Sequence, residues 1–266
     1  MNFSNRSAGL RPPAQNLWVV IPAYNESTLI EGCLDSLVTQ SDVTFSIVVV
    51  DNASSDDTRG LVSAWIEEHP DLDAYVIDES RKGTGAAADS GFRFAIKRGA
   101  DWIARTDADC LVASDWISAV KRNSRRATML GGKTRARAGD ELSVLQRISL
   151  PSTVTAARLF GKVRPSNRGS RFLCPYVMCV GNNLAVDRNT YEESGGFPRL
   201  AIEELPIPND RALVNRVRQV SASVRYAPDM VVYNSARRLK AYGLVRTLGW
   251  YANHDLDHHQ FEVDVR

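Results

Sequence analysis

Two carboxylates separated by one residue, Asp107 and Asp109, stand where the apolar run 101–106 stops. In extended chain, side chains two apart point the same way. Like charges held together are costly unless something neutralises them, and a hard divalent cation, Mg²⁺ or Mn²⁺, does so through oxygen ligands. Such an ion can bridge a diphosphate. A surface turn also explains the pair, because this spacing is common by chance. A second arrangement, Gly83-x-Gly85-x-x-Ala88, follows a strand pattern and opens a helix pattern, as in the fingerprint that cradles a dinucleotide. Asp107 then falls near the place of its ribose-binding acid, so an NAD-dependent dehydrogenase is a rival reading. Against it, two complete strand–helix units precede these glycines, and the fingerprint usually occupies the first.

The elements that must position these groups alternate along the chain. Strand patterns, largely apolar, at 17–21, 45–50, 74–77 and 101–106 read as buried strands. Helical patterns follow each of them: one opening at Thr28, with Glu31 completing a capping box, then 58–68, 85–98 and 115–122. This order argues for an α/β fold with a central, mostly parallel sheet flanked by helices on both faces. In such sheets ligands bind beyond the carboxyl ends of the strands. Those ends read Pro22-Ala23-Tyr24-Asn25-Glu26, Asp51-Asn52, Glu79-Ser80-Arg81-Lys82-Gly83 and Asp107-Ala108-Asp109. Their convergence on polar, turn-forming and acidic residues marks the expected site.

The second half is less regular. A helix is expected over 141–160, a strand over 183–186, a helix over 210–218, a strand over 231–233 and an amphipathic helix over 239–250. The basic, Gly- and Pro-containing segment 161–172 is either a lid that orders over a bound diphosphate or a passive surface loop. No linker divides the chain. We expect a loose leader over 1–16, one domain over 17–250 (halves 17–122 and 123–250) and a polar tail over 251–266, where His254, His258 and His259 cluster.

Bulk properties narrow the function. The 266 residues are 44% hydrophobic with a net charge of +2, an ordinary globular composition that gives no sign of nucleic-acid binding. Arg122, Arg125, Arg126, Arg135 and Arg137 read as a solvated face or an anion-facing patch. Cys33, Cys110, Cys174 and Cys179 form no Cys-x-x-Cys pair, so reduced thiols are expected. No run is long enough to span a bilayer and no secretory leader is recognisable. The expectation is a cytoplasmic chain, with peripheral membrane association left open.

Several segments taken together resemble glycosyltransferase family 2. Val19-Val20-Ile21-Pro22-Ala23-Tyr24-Asn25-Glu26 is similar to its opening strand, and Val48-Val49-Val50-Asp51-Asn52-Ala53-Ser54-Ser55-Asp56-Asp57-Thr58 to its second strand and turn. Gly83-Thr84-Gly85-Ala86-Ala87-Ala88-Asp89-Ser90-Gly91 resembles its third motif. Asp107-Ala108-Asp109 falls at its Asp-x-Asp, and Gly181-Asn182-Asn183-Leu184-Ala185-Val186 with Gly195-Gly196-Phe197 at its acceptor segment. Asn209-Asp210-Arg211-Ala212-Leu213 is similar to its acidic motif, and Ser235-Ala236-Arg237-Arg238 to a late motif of some members. The departures are Asp89 where Asn is usual, Asn209 where Glu is common, and Asn234 where many members have His.

The resemblance implies a Rossmann-like GT-A fold and an inverting transfer of a sugar from a nucleotide-diphosphate sugar, UDP-linked by expectation, to an acceptor hydroxyl of unknown nature. A non-catalytic nucleotide-sugar-binding protein of the same fold is the alternative. It implies that Pro22, Ala23, Tyr24, Glu26, Asp51, Arg81, Gly83 and Asp107 contact the nucleotide, with Tyr24 beside the base, Asp51 accepting from a pyrimidine N–H and Glu26 on the ribose. It further implies that Asp109, with Asp107, holds Mn²⁺ or Mg²⁺, and that Gly181, Asn182 and Asn183 face the acceptor. Arg237 and Arg238 would meet the diphosphate. Asp210 would be the catalytic base, with Glu203 and Glu204 as rivals.

Overall fold

The computed structural model describes residues 11–137, 161–199 and 207–235. Four apolar strands, β1 (Leu17–Ala23), β2 (Phe45–Asp51), β3 (Ala74–Asp78) and β4 (Trp102–Thr106), pair in parallel in the order β3-β2-β1-β4. β1, β2 and β4 are buried throughout and largely apolar because both faces are covered, while β3 at the edge is half-buried. Alternate residues of β1 go to opposite sides: Leu17, Val19 and Ile21 pack with α1 (Ile30–Val38), α2 (Thr58–Glu68) and α4 (Trp116–Ser124), while Trp18 and Val20 pack with α3 (Thr84–Lys97). The mostly parallel α/β sheet expected from sequence is thus the one observed.

The sheet continues through β7 (Asn183–Asp187), which lies antiparallel between β4 and β6 (Met129–Ala136). β8 (Val224–Asn234) runs parallel to β6 and carries the short β5 (Cys110–Val112) at the edge. Two further helices, α5 (Arg188–Glu193) and α6 (Asn209–Val220), cover the α3 face. Asp187 starts α5 by accepting from the Thr190 amide at 3.0 Å.

Three expectations need correction. Thr28 and Glu31 form no capping box: α1 opens after Leu29 with no side-chain cap, and the Glu26 carbonyl takes the Leu29 and Ile30 amides at 3.0 Å each. Residues 11–16 of the expected loose leader are tied down, with the Gln15 and Asn16 amides on Asp101 and the Ala14 amide on Ser124. The strand expected over 231–233 runs from Val224 to Asn234. The calls on 141–160, 239–250, Glu203, Glu204, Arg237, Arg238 and the histidine cluster lie outside the described residues. The four cysteines are free. Among the described residues no helix is long and apolar enough to cross a membrane.

Candidate functional site

The crevice is produced by unequal strand pairing. β1 pairs with β2 through Ala23, but with β4 only through Val20, opposite Arg105. Beyond that point β1 and β4 part, at the place where the strand order reverses direction, which is where open α/β sheets bind ligands. Pro22, Ala23, Tyr24 and Glu26 leave from one lip, and Asp107 and Asp109 from the other.

On the first lip, Asp51 ends β2 and is 5% exposed. Its Oδ2 accepts from the Ser54 amide at 3.2 Å, while Oδ1 is buried and has no hydrogen-bond partner. A buried acceptor without a donor is costly, and it suits a ligand that brings an N–H. The surrounding turns are held in place. Asn25 and Ala53 adopt left-handed backbone conformations, and Asn25 Oδ1 accepts from the Ser55 amide at 2.8 Å. Burial would raise the Asp56 carboxyl, but hydrogen bonds from Thr58 and Ser27 outweigh it and lower its pKa to about 2. Asn52 clamps the 79–83 turn: its Nδ2 donates to the Glu79 and Arg81 carbonyls at 2.8 Å each, and its Oδ1 accepts from Gly83 at 2.8 Å. Gly83 has φ +132°, a conformation that glycine adopts without strain. Lys82 Nζ lies 5.4 Å from the centre of the Tyr24 ring, which brings the 79–83 turn against that side chain.

On the second lip, Asp107 Oδ1 accepts from Arg105 Nη2 at 2.8 Å and Nε at 3.1 Å. Arg105 is 3% exposed. The Cys110 thiol donates to Asp109 Oδ1 and to Asn234 Oδ1, each at 3.4 Å, which places the residue found instead of the late-strand His beside Asp109. Burial first, then the charges of Asp109, Asp107 and Glu26, raise the Cys33 thiol pKa. Carboxylates from both lips therefore set a negative field around Cys33. Among the described residues no cluster of three or more His, Cys, Asp or Glu forms a ready metal cage. A pair of carboxylates nonetheless fits Mg²⁺ or Mn²⁺ held partly by substrate phosphate, the usual arrangement for such ions.

The acceptor segment closes on this lip. A Cβ at Gly181 would stand 3.1 Å from the Arg105 guanidinium. The Gly181 amide donates to Asp210 Oδ2 at 3.2 Å, and Asp210 Oδ1 accepts from the Arg211 amide at 2.7 Å. Asp107, Arg105, Gly181 and Asp210 thus form one connected chain, and the acidic motif lies against the Asp-x-Asp side. Asn182 Oδ1 accepts from Thr134 Oγ1 at 3.1 Å. Asn183 points into the sheet instead. It accepts from Trp116 Nε1 at 3.0 Å and donates to the Met230 and Lys133 carbonyls at 2.9 and 3.1 Å. Asn183→Ala would leave these buried groups unmatched, at about 1–3 kcal/mol each. Urea unfolding is expected to show a loss of about 3 kcal/mol or more, and a loss under about 1 kcal/mol would show that water replaces the amide.

Several residues were missed by sequence reasoning. Arg105, a lone charge inside an apolar strand, carried a signal: such a group must have a buried partner. The Asp89 departure is compensated in space. Its buried carboxylate takes Tyr191 Oη at 2.7 Å, Arg93 Nε at 2.7 Å and Arg199 Nη1 at 2.9 Å. Arg199 also bonds Glu79, and its carbonyl accepts from Arg81 at 3.0 Å. Burial works to raise the Glu79 carboxyl, but hydrogen bonds from Ser90, the Arg81 amide and Arg199 bring it below the ordinary value. The 79–83 turn and the Gly195-Gly196-Phe197 segment are thereby joined. The segment 161–174 is anchored to α6, with Arg218 Nη2 on the Asn167 carbonyl at 3.1 Å and the Leu173 amide on the Arg218 carbonyl at 2.8 Å.

Comparison with known proteins agrees with this architecture. Residues 18–170 match the model of the family described as "Glycosyl transferase family 2". The succinoglycan biosynthesis protein ExoO of Rhizobium meliloti (strain 1021) is 29% identical over 167 residues, covering 57% of this chain and 46% of its own. The chain therefore spans less than half the length of that relative. A mannosyltransferase from Pyrobaculum calidifontis, solved with GDP-Man and Mn²⁺, superposes with a TM-score of 0.62 at 23% identity over 94% of this chain and 68% of its own. S. aureus TarS 1-349, solved with UDP-GlcNAc, gives 0.58 at 16% identity over 91% and 68%. These similarities show the GT-A fold. With more than half of its length matched by the family model, the chain belongs to glycosyl transferase family 2.

Proposed function

We propose that the protein transfers a sugar from a nucleotide-diphosphate sugar to an acceptor hydroxyl in a single inverting displacement. The observation that carries this reading is the buried, unpartnered Asp51 Oδ1 at the end of β2, across the crevice from Asp107 and Asp109. One lip then holds the nucleoside: Asp51 on the base, Tyr24 beside the ring, Glu26 toward the ribose. The other lip meets the diphosphate, with Asp109 and Asp107 as the residues that would hold Mn²⁺ or Mg²⁺. Such an ion supplies charge neutralisation for a leaving diphosphate. Asp210, fixed by two backbone amides beside Gly181, takes the proton of the acceptor hydroxyl as that oxygen attacks.

Relatives of this fold have been solved with GDP-Man and with UDP-GlcNAc, so the base needs its own argument. An orphan acceptor matches a ring N–H, which uracil offers at N3 and guanine at N1 and which adenine lacks at that edge. Titration calorimetry with UDP and ADP in Mn²⁺ is expected to favour UDP by about tenfold or more, from about 1–3 kcal/mol for an unmatched buried group. Asp51→Asn should remove the preference. Equal affinity of the wild-type protein for UDP and ADP takes Asp51 out of this role.

A further inference from the structure

Between Glu141 and Asp187 the sequence contains no Asp or Glu, yet it carries six cations: Arg147, Arg158, Lys162, Arg164, Arg168 and Arg171. The whole chain is only +2, so the rest of it is net negative. The described part of this stretch, 161–174, gathers charge and apolar surface together. Lys162, Arg168 and Arg171 are exposed, and beside them Val163 and Leu173 are 57% and 56% exposed, two of only four large exposed hydrophobics among the described residues. Exposed aliphatic side chains interleaved with cations, with no acid among them, match a surface that is anionic outside and apolar just beneath. A polyanion such as RNA offers the charge but nothing to bury Val163 and Leu173.

The patch is preorganised. Asn167 is buried and accepts from Asn215 Nδ2 at 3.0 Å while donating to the Gly161 carbonyl at 2.7 Å. Arg218 crosses from α6 to the Asn167 and Cys174 carbonyls. The loop is therefore mounted on the helix that carries Asp210 at its start. Burial and the neighbouring charge of Arg211 both lower the Arg164 pKa, so Arg164 lies near Arg211 and the patch reaches the acceptor side of the crevice.

From this arrangement we infer that the 161–174 face, through Val163, Leu173, Lys162, Arg168 and Arg171, docks the protein on an anionic lipid bilayer. Docking presents the acceptor side of the crevice to molecules held in that membrane, a consequence that rests on the proposed transferase reading. The docking itself does not, and vesicle binding without nucleotide or sugar separates the two.

The full chain is sedimented with vesicles of phosphatidylcholine alone and of phosphatidylcholine mixed with phosphatidylglycerol. Binding is expected only to the mixed vesicles, with release at high salt as screening shortens the reach of the charges. Each cation near an anionic surface strengthens binding by about fivefold, so Arg168→Gln with Arg171→Gln should weaken it by about 25-fold. Val163→Ser with Leu173→Ser should weaken it by about tenfold, because part of the apolar burial is lost. Arg125→Gln with Arg126→Gln, exposed at the far end of α4, should change nothing. Wild-type melting temperatures and nucleotide binding in all three variants would show that each is folded. Equal binding to both vesicle types, unchanged binding by the Arg168/Arg171 variant, or retention on RNA but not on vesicles would overturn the inference. So would a patch that proves to join two copies, seen as a dimer that the Val163/Leu173 variant splits while vesicle binding is absent.

Discussion

Asp210→Asn is expected to lower kcat by about 10²–10⁴ while leaving nucleotide affinity unchanged, the usual contribution of a positioned general base. The acceptor hydroxyl is a weak nucleophile, and the group that takes its proton must lie on the acceptor side of the crevice. In the proposed reading that group is Asp210, which is held by the Gly181 and Arg211 amides; the Gly181 backbone in turn adjoins Arg105 and, through it, Asp107. Asn keeps the shape and the acceptor oxygen but cannot accept a proton at neutral pH, so binding and turnover should separate. Steady-state kinetics beside UDP calorimetry measure the two. Unchanged kcat would pass the role to Glu203 or Glu204. A product of retained anomeric configuration would discard the single displacement.

Asp109→Ala is expected to weaken UDP binding in Mn²⁺ by about 100-fold, to the level the wild-type protein shows in EDTA. This substitution is cleaner than one at Asp107. Losing Asp107 also strips the buried Arg105 guanidinium of its ion-pair partner, a defect that destabilises for reasons unconnected with metal. Asp109 accepts from the Cys110 thiol at 3.4 Å. The readout is calorimetry of UDP with and without Mn²⁺, so it does not depend on catalysis. If the wild-type protein binds UDP equally well in EDTA, the Asp-x-Asp pair has some other purpose.

The first half, residues 17–122, was legible because parallel strands covered on both faces read as largely apolar runs. Their ends, at Asp51 and Asp107, fall abruptly into polar residues. The second half was harder for physical reasons. In β6, Gly131 and Gly132 look like a turn, but a Cβ at Gly131 would lie 2.7 Å from Cys179 Sγ and one at Gly132 within 2.5 Å of the Asn183 side chain. Those glycines mark close approach within a strand. In β8, Arg225, Pro228 and Asp229 interrupt the apolar pattern, and Asp229 is fixed by Arg122 and Asn123 from α4. Asn183 looked like a cleft residue because its sequence neighbours are. Only the positions of Trp116, Lys133 and Met230 reveal that its amide belongs to the core. The Asp89 departure could not be interpreted from sequence, since Arg199, which compensates it, is distant along the chain.

The place of β7 also bears on how the chain reaches its native state. β7 inserts between β4 and β6, pairing Asn183 with Thr106 and Val186 with both Ile103 and Met129. Until those residues arrive, β4 is an open edge of apolar backbone, and β6 has neither of its strand partners, because β8 comes later still in the chain. Closing so long a loop is slow, and an uncovered edge strand invites pairing with another chain. Asp107 and Asp109 lie on the link between β4 and β5, the seam between the parallel strands and the rest of the sheet. The carboxylate lip is therefore assembled only when the last central strand is seated, and a nascent chain that ends before Asn183 has an aggregation-prone edge where the finished protein has its crevice.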